Sequence, residues 1–269
     1  MYLNKTILIT GANSGLGRNL ALNYARQGGR IINLSRSTET MQVLNEKLKS
    51  INKTNHLCYS VDVSDYQRIK EVRDDIRKQK LIPDVIINNA AGNFLCPFRK
   101  LSVNGWKRII DIVLHGTFNV TKLFGEEMIL NHKQGVILNI STTYASTGSA
   151  LVVPSAVAKA GIETLTKSLT VEWSKYNIRF VGIAPGPMSE TGGVDKLDTF
   201  QLFKHRNNYI NPRGRMANLN EISKLALFLT SENADYINGS IIRIDGGELN
   251  QNSGEFNFIT NIPYWEKLF

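Results

Sequence analysis

Seven short runs rich in Ile and Val punctuate the chain, at Thr6 to Thr10, Arg30 to Leu34, Leu57 to Val61, Asp84 to Asn88, Gly135 to Ile140, Ile178 to Ala184 and Ile241 to Ile244. Between most of them lie longer segments whose apolar residues recur at helical spacing. Strands that are apolar on both faces need cover on both faces, and crossover helices between parallel neighbours supply it. The alternation predicts an α/β fold, a doubly wound parallel sheet of about seven strands. With 269 residues, 42% of them hydrophobic, the chain can bury a full core, and no shift in composition marks a second domain. One domain over 1–269 is expected. Ser64-Asp65-Tyr66-Gln67 reads as a capping box, and Pro154 suits the first turn of a helix. Trp106, Ile109, Ile110, Val113, Leu114, Phe118 and Val120 predict one long helix, with a stripe wide enough for core and subunit contact together.

A net charge of +9 points to an anionic partner. The basic residues are interleaved with acids, as in Lys70-Glu71-Val72-Arg73-Asp74-Asp75-Ile76-Arg77-Lys78, which is the pattern of a solvated helix face. No zinc-finger, aromatic RNA-binding or basic-region pattern is present, so a small phosphate-bearing ligand is favoured over nucleic acid. No apolar run is long enough to span a bilayer, the N-terminus leads straight into the first strand, and the end Glu266-Lys267-Leu268-Phe269 is not a peroxisomal address. Cys58 and Cys96 are too few for a disulfide framework, and His56, His132 and His205 lack metal-ligand spacing. These features predict a cytoplasmic protein with no membrane partner and no metal.

Directly after the first strand comes Gly11-Ala12-Asn13-Ser14-Gly15-Leu16-Gly17, and then a helical stretch. Glycines there let the backbone turn sharply and approach a pyrophosphate, whose charge sits against the free N–H groups of the helix start. A purely structural glycine turn is the alternative, and the strand-to-helix context argues against it. The second strand ends in Asn33-Leu34-Ser35-Arg36, where a site specific for NAD would offer a carboxylate to the adenosine ribose. A guanidinium in that place pairs with a 2′-phosphate and predicts NADP(H) as cofactor. Asp62 and Val63, after the third strand, stand where an adenine would be held.

These features, with Asn88-Asn89-Ala90-Ala91-Gly92 after the fourth strand, Pro185-Gly186-Pro187 after the sixth and Asp245-Gly246-Gly247 near the end, resemble the short-chain dehydrogenase/reductase family over nearly the whole chain. Within it, three segments look like the NADPH-dependent 2,4-dienoyl-CoA reductases: Asn88 to Phe94, Asp111-Ile112-Val113-Leu114-His115-Gly116-Thr117, and Tyr144 followed by Val153 to Gly161. The usual family tyrosine, four residues before the helical lysine, is here Ser155, and the nearest phenol is Tyr144, 15 residues before Lys159. The resemblance implies that Lys159 holds the nicotinamide ribose, while Asn89, Ala90, Ala91, Pro185, Gly186, Pro187 and Met188 line the cofactor. It makes Tyr144 and Asn93 hydrogen-bond donors to a thioester carbonyl, and it places Phe94, Ser102 and Lys196 against an acyl-CoA substrate. Ser155, on the lysine's helical face, either contacts the ligands or is a plain helix serine. Thr142 takes the place of the family's catalytic serine, in a supporting role.

A carbonyl reductase protonates the oxygen of the carbon that accepts hydride, whereas a dienoyl reductase grips an oxygen several bonds away. The displaced phenol therefore favours the second chemistry. His115 departs from an asparagine that the family keeps for helix shape and proton relay; a relaying histidine and a packed one are both open. The segment 185–215 is expected to form a lid, and the resemblance implies a homotetramer. Two readings compete, a ketoacyl or alcohol oxidoreductase using Tyr144 as acid, and a non-catalytic cofactor-binding regulator.

Overall fold

The strands follow the apolar runs to within one residue at either end: β1 (Thr6–Thr10), β2 (Arg30–Ser35), β3 (Leu57–Ser60), β4 (Val85–Asn88), β5 (Gly135–Ile140), β6 (Ile178–Pro185) and β7 (Ile241–Ile244). The computed structural model describes residues 2–189, 211–253, 257 and 264. All seven strands pair in parallel, in the order β3-β2-β1-β4-β5-β6-β7. Chain order reverses direction between β1 and β4, which opens a crevice at the carboxyl ends of those strands.

The main helices are α1 (Gly15–Arg26), α2 (Thr38–Ile51), α3 (Tyr66–Lys78), α4 (Val103–Ile110), α5 (Gly116–Leu130), the short α6 (Tyr144–Thr147), α7 (Val153–Trp173) and α8 (Leu219–Leu229). Successive strand residues point to opposite faces, so each face has its own core. Ile7 and Ile9 pack with Leu20, Leu48 and Ile222 beneath α1, α2 and α8. Leu8 packs on the other face with Ile69, Phe124 and Ile162 beneath α3, α5 and α7.

Two local expectations need correction. The cap of α3 is Asp65, whose carboxylate accepts from the Arg68 N–H at 2.9 Å, while the Ser64 hydroxyl donates to Asp62 instead. A carboxylate is the stronger acceptor, so it takes the helix N–H. The predicted long helix is divided between α4 and α5 by a widened π-type turn at Asp111–His115. Past that turn Gly116 lies flush on Val63, where a Cβ would come within 2.5 Å of the Val63 Cγ2. Among the described residues, no helix is long and apolar enough to cross a membrane, and no group of His, Cys, Asp and Glu is arranged to hold a metal. Of the predicted lid, residues 190–210 lie outside the described residues; Met188, near its start, bridges Ala217, two residues beyond its expected end.

Candidate active site

The glycine loop runs from the end of β1 into α1. Gly11 and Gly15 have φ of +70° and +48°, a region open to glycine at little cost. A Cβ on Gly17 would overlap the Gly11 carbonyl oxygen. Ser14 caps α1 in extended conformation but lends no side-chain hydrogen bond to the helix. The first N–H groups of α1 thus face the loop without a side-chain acceptor from their cap, as an anion site requires. The loop is tied in place by side chains: Asn33, fully buried on β2, donates to the Asn13 amide oxygen at 2.7 Å, and Asn13 donates to the Ser37 carbonyl at 2.7 Å. On the other side the Thr10 hydroxyl accepts from the N–H groups of Asn89 and Ala90 at 3.0 and 2.9 Å. Leu16 anchors the loop in the core, and Ala91 follows at the exposed lip of β4.

Beyond β2 the Arg36 side chain is exposed, and its backbone carbonyl is held by the Ser60 hydroxyl at 2.9 Å. Arg36 and Arg108 both approach the Asp62 Oδ2, at 3.9 and 3.2 Å. Burial alone would push the Asp62 carboxyl up, but the two hydrogen bonds from Ser64 and the charges of Arg108 and Arg36 outweigh it and hold the pKa below the usual value. Val63 is buried beside it. Pro185 ends β6, the Gly186 N–H donates to the Ile244 carbonyl at 3.0 Å, and Pro187 accepts from Ala217 at 2.9 Å, which sets this turn beside β7 and Asp245.

The chemistry-bearing side chains meet at the ends of β4 and β5. Asn93 accepts from the Phe94 N–H through Oδ1 at 2.9 Å, which aims its NH₂ at the Tyr144 hydroxyl, 3.3 Å away. That hydroxyl also meets the Ser155 Oγ at 3.2 Å. Ser155 is buried on α7 one turn before Lys159, so it serves the phenol and is no plain helix serine. Lys159 is 5% exposed and donates to the Ile140 carbonyl, four residues before Tyr144. Burial draws its pKa down to about 8. The phenol and the ammonium thus reach one another's neighbourhood, from the end of β5 and from the face of α7.

Other expected residues fall nearby with different work. Phe94 is partly exposed and lies over Gly105, where a Cβ would sit 3.0 Å from its ring, and Ser102 caps α4 by accepting from the Gly105 N–H at 3.0 Å. Lys196 is outside the described residues. Thr142 is half-buried, and its neighbour Ser141, which no motif marks, donates to Glu163 at 2.6 Å. His115 is neither packed nor aimed at the site: it is exposed, and its Nδ1 pairs with the Asp111 carboxylate at 2.9 Å.

This arrangement has relatives. A family model described as enoyl-(acyl carrier protein) reductase matches residues 11–248. The chain is a short-chain dehydrogenase/reductase. It is 41% identical over 245 residues to a probable 2,4-dienoyl-CoA reductase, (2E)-enoyl-CoA-producing, of Bacillus subtilis, covering 91% of this chain and 96% of that one. A probable 2,4-dienoyl-CoA reductase of Caenorhabditis elegans, (3E)-enoyl-CoA-producing, is 36% identical, over 94% and 83% of the two chains. The crystal structure of a short chain dehydrogenase from Bacillus anthracis superposes with a TM-score of 0.83 at 38% identity, covering 91% and 96%. As a member of this reductase family the chain is an oxidoreductase of the kind that binds NAD(P).

Proposed function

We propose that this short-chain reductase uses NADPH to reduce 2,4-dienoyl-CoA thioesters to enoyl-CoA. The observation that carries the reading is the hydrogen-bonded set Asn93, Tyr144 and Ser155, with the phenol supplied from the end of β5 and a serine in the helical position one turn before Lys159. The names of the relatives support the substrate class. The glycine loop, with its close approach and the open start of α1, fits the pyrophosphate of a dinucleotide, and Arg36 fits a 2′-phosphate.

NADPH, held by the glycine loop and Arg36, would supply a hydride, and C5 of the diene would accept it. The electron pair of the C4–C5 double bond shifts to C3–C4, that of C2–C3 shifts to C1–C2, and negative charge gathers on the thioester oxygen. Tyr144 and Asn93 donate to that oxygen, and Ser155 keeps the phenol turned toward it. Fixed donors at a developing oxyanion give the largest share of many rate enhancements. Lys159 orients the nicotinamide ribose through its hydroxyls and adds a positive charge to the site. A proton from water then reaches the α carbon and leaves a 3-enoyl-CoA; protonation at C4 would give the 2-enoyl isomer, so NMR of the product distinguishes the two. Phe94, Ser102 and Lys196 belong to the acyl-CoA side of the proposal; a homotetramer and a cytoplasmic setting complete it, the first by family resemblance.

The reading is tested by mixing the protein with NADPH and either 2,4-hexadienoyl-CoA or acetoacetyl-CoA. Loss of cofactor and diene absorbance with the dienoyl thioester alone is expected; turnover of only the ketoacyl thioester would instead support a carbonyl reductase. For the cofactor, Arg36→Ala should weaken NADPH binding about tenfold or more, the scale of one charge-assisted hydrogen bond, and leave NADH unchanged. An unaltered NADPH to NADH ratio would remove the basis for choosing NADPH.

A further inference from the structure

Near the adenosine end, Arg36 and Asp62 share their cluster with a second guanidinium, Arg108, to which the reading above gives no role. The Asp62 carboxylate divides its two oxygens: Oδ1 accepts from both the N–H and the hydroxyl of Ser64, at 3.0 and 2.7 Å, and Oδ2 gathers the guanidinium groups. Arg36 comes to Oδ2 from the end of β2, and Arg108 from α4, 46 residues along the chain from Asp62. Both guanidiniums remain more than half exposed, at 60% and 53%. Two cations sharing one anion leave a net positive charge, and each fork presents five N–H donors of which the carboxylate occupies few. A lone surface ion pair would carry no such surplus.

We infer that Arg108 works with Arg36 as a two-guanidinium clamp for a phosphomonoester on an adenosine ribose, with Asp62 holding the pair in place before the ligand arrives. The inference rests on the reading of the site as one for NADPH and acyl-CoA. Both ligands carry this chemistry, the first as a 2′-phosphate and the second as a 3′-phosphate. Arg36 stands in the motif position for the cofactor; Arg108 approaches the same carboxylate from the helix that also begins beside Phe94 and Ser102, so it adjoins both ligands' expected paths. Planar guanidinium forks match the phosphate oxygens in pairs, which is why arginine suits such a clamp better than lysine.

The test compares wild type with Arg108→Ala and, as a control for the loss of one exposed charge, Arg68→Ala. Dissociation constants for NADPH and NADH are measured by fluorescence titration without substrate, and KM is measured for 2,4-hexadienoyl-CoA and for its 3′-dephospho analogue. If the clamp holds the cofactor, Arg108→Ala weakens NADPH about tenfold and spares NADH. If it holds the substrate, KM rises for the dienoyl-CoA and not for the dephospho analogue. Equal weakening of NADPH and NADH, with both KM values unmoved, would show that Arg108 only steadies Asp62 and would overturn the clamp; so would no change in either arm, or the same changes in Arg68→Ala. Failure of the NADPH reading itself appears separately, as an unchanged cofactor ratio in Arg36→Ala.

Discussion

Tyr144→Phe is expected to cut turnover of a 2,4-dienoyl-CoA by about a hundred- to a thousandfold, the usual effect of removing one oxyanion donor, while the dissociation constant for NADPH stays within about twofold. The phenol is joined to Asn93 and Ser155 and has no bond to the glycine loop or to Arg36, so the nucleotide site should not register its loss. Ser155→Ala should give a smaller decrease, because the phenol keeps Asn93 as a partner. Rates and binding constants measured side by side settle the matter. Equal losses in turnover and in NADPH affinity would mean that Tyr144 builds the cofactor site rather than gripping the substrate.

Lys159→Met should abolish most turnover and yet make the cofactor-free protein more stable at pH 7. The lysine is buried, and burial has lowered its pKa from the ordinary 10.5 to about 8. A displacement of that size corresponds to roughly 3 kcal/mol against the folded state while the group is charged. Losing the bond to Ile140 returns about 1 kcal/mol of that, so a rise in Tm of a few degrees is expected. The pH dependence follows with a definite sign. Below about 8 both folded and unfolded chains carry the proton and the full cost is present; between about 8 and the ordinary lysine value only the unfolded chain holds it, so stability rises with pH across that window. In the methionine variant this rise should vanish. Denaturant titrations at several pH values check it, and an identical rise in wild type and variant would contradict the buried charge.

Much of the fold and of the site is legible in the sequence because it lies in short stretches of chain. Strand runs, the glycine loop and Arg36 are local patterns with a local physical cause. So is the displaced phenol, since a serine at 155 and a tyrosine at 144 stand a fixed distance from Lys159. What is not legible there depends on contacts between distant segments. Ser155 meets the phenol across the connection between α6 and α7, in which Gly148 and Leu151 have φ of +73° and +66°. The glycine after the π-type turn, Gly116, answers to Val63, some fifty residues earlier, and no periodicity in α4 or α5 announces the turn. The sequence leaves His115 open between a relay and a packed side chain; the π-type turn gives it a third course, toward Asp111 and solvent. Asn33 and Arg108 were invisible for the same reason, each acting on a residue far along the chain.

The central claim is that the donor set holds an oxygen remote from the carbon that receives hydride. Turnover of 2,4-hexadienoyl-CoA with NADPH carrying deuterium at the transferable position, followed by NMR of the product, tests it most directly. Deuterium at C5 with the thioester carbonyl intact is predicted. Deuterium at C3, or on a carbon that bears oxygen in the product, would contradict it.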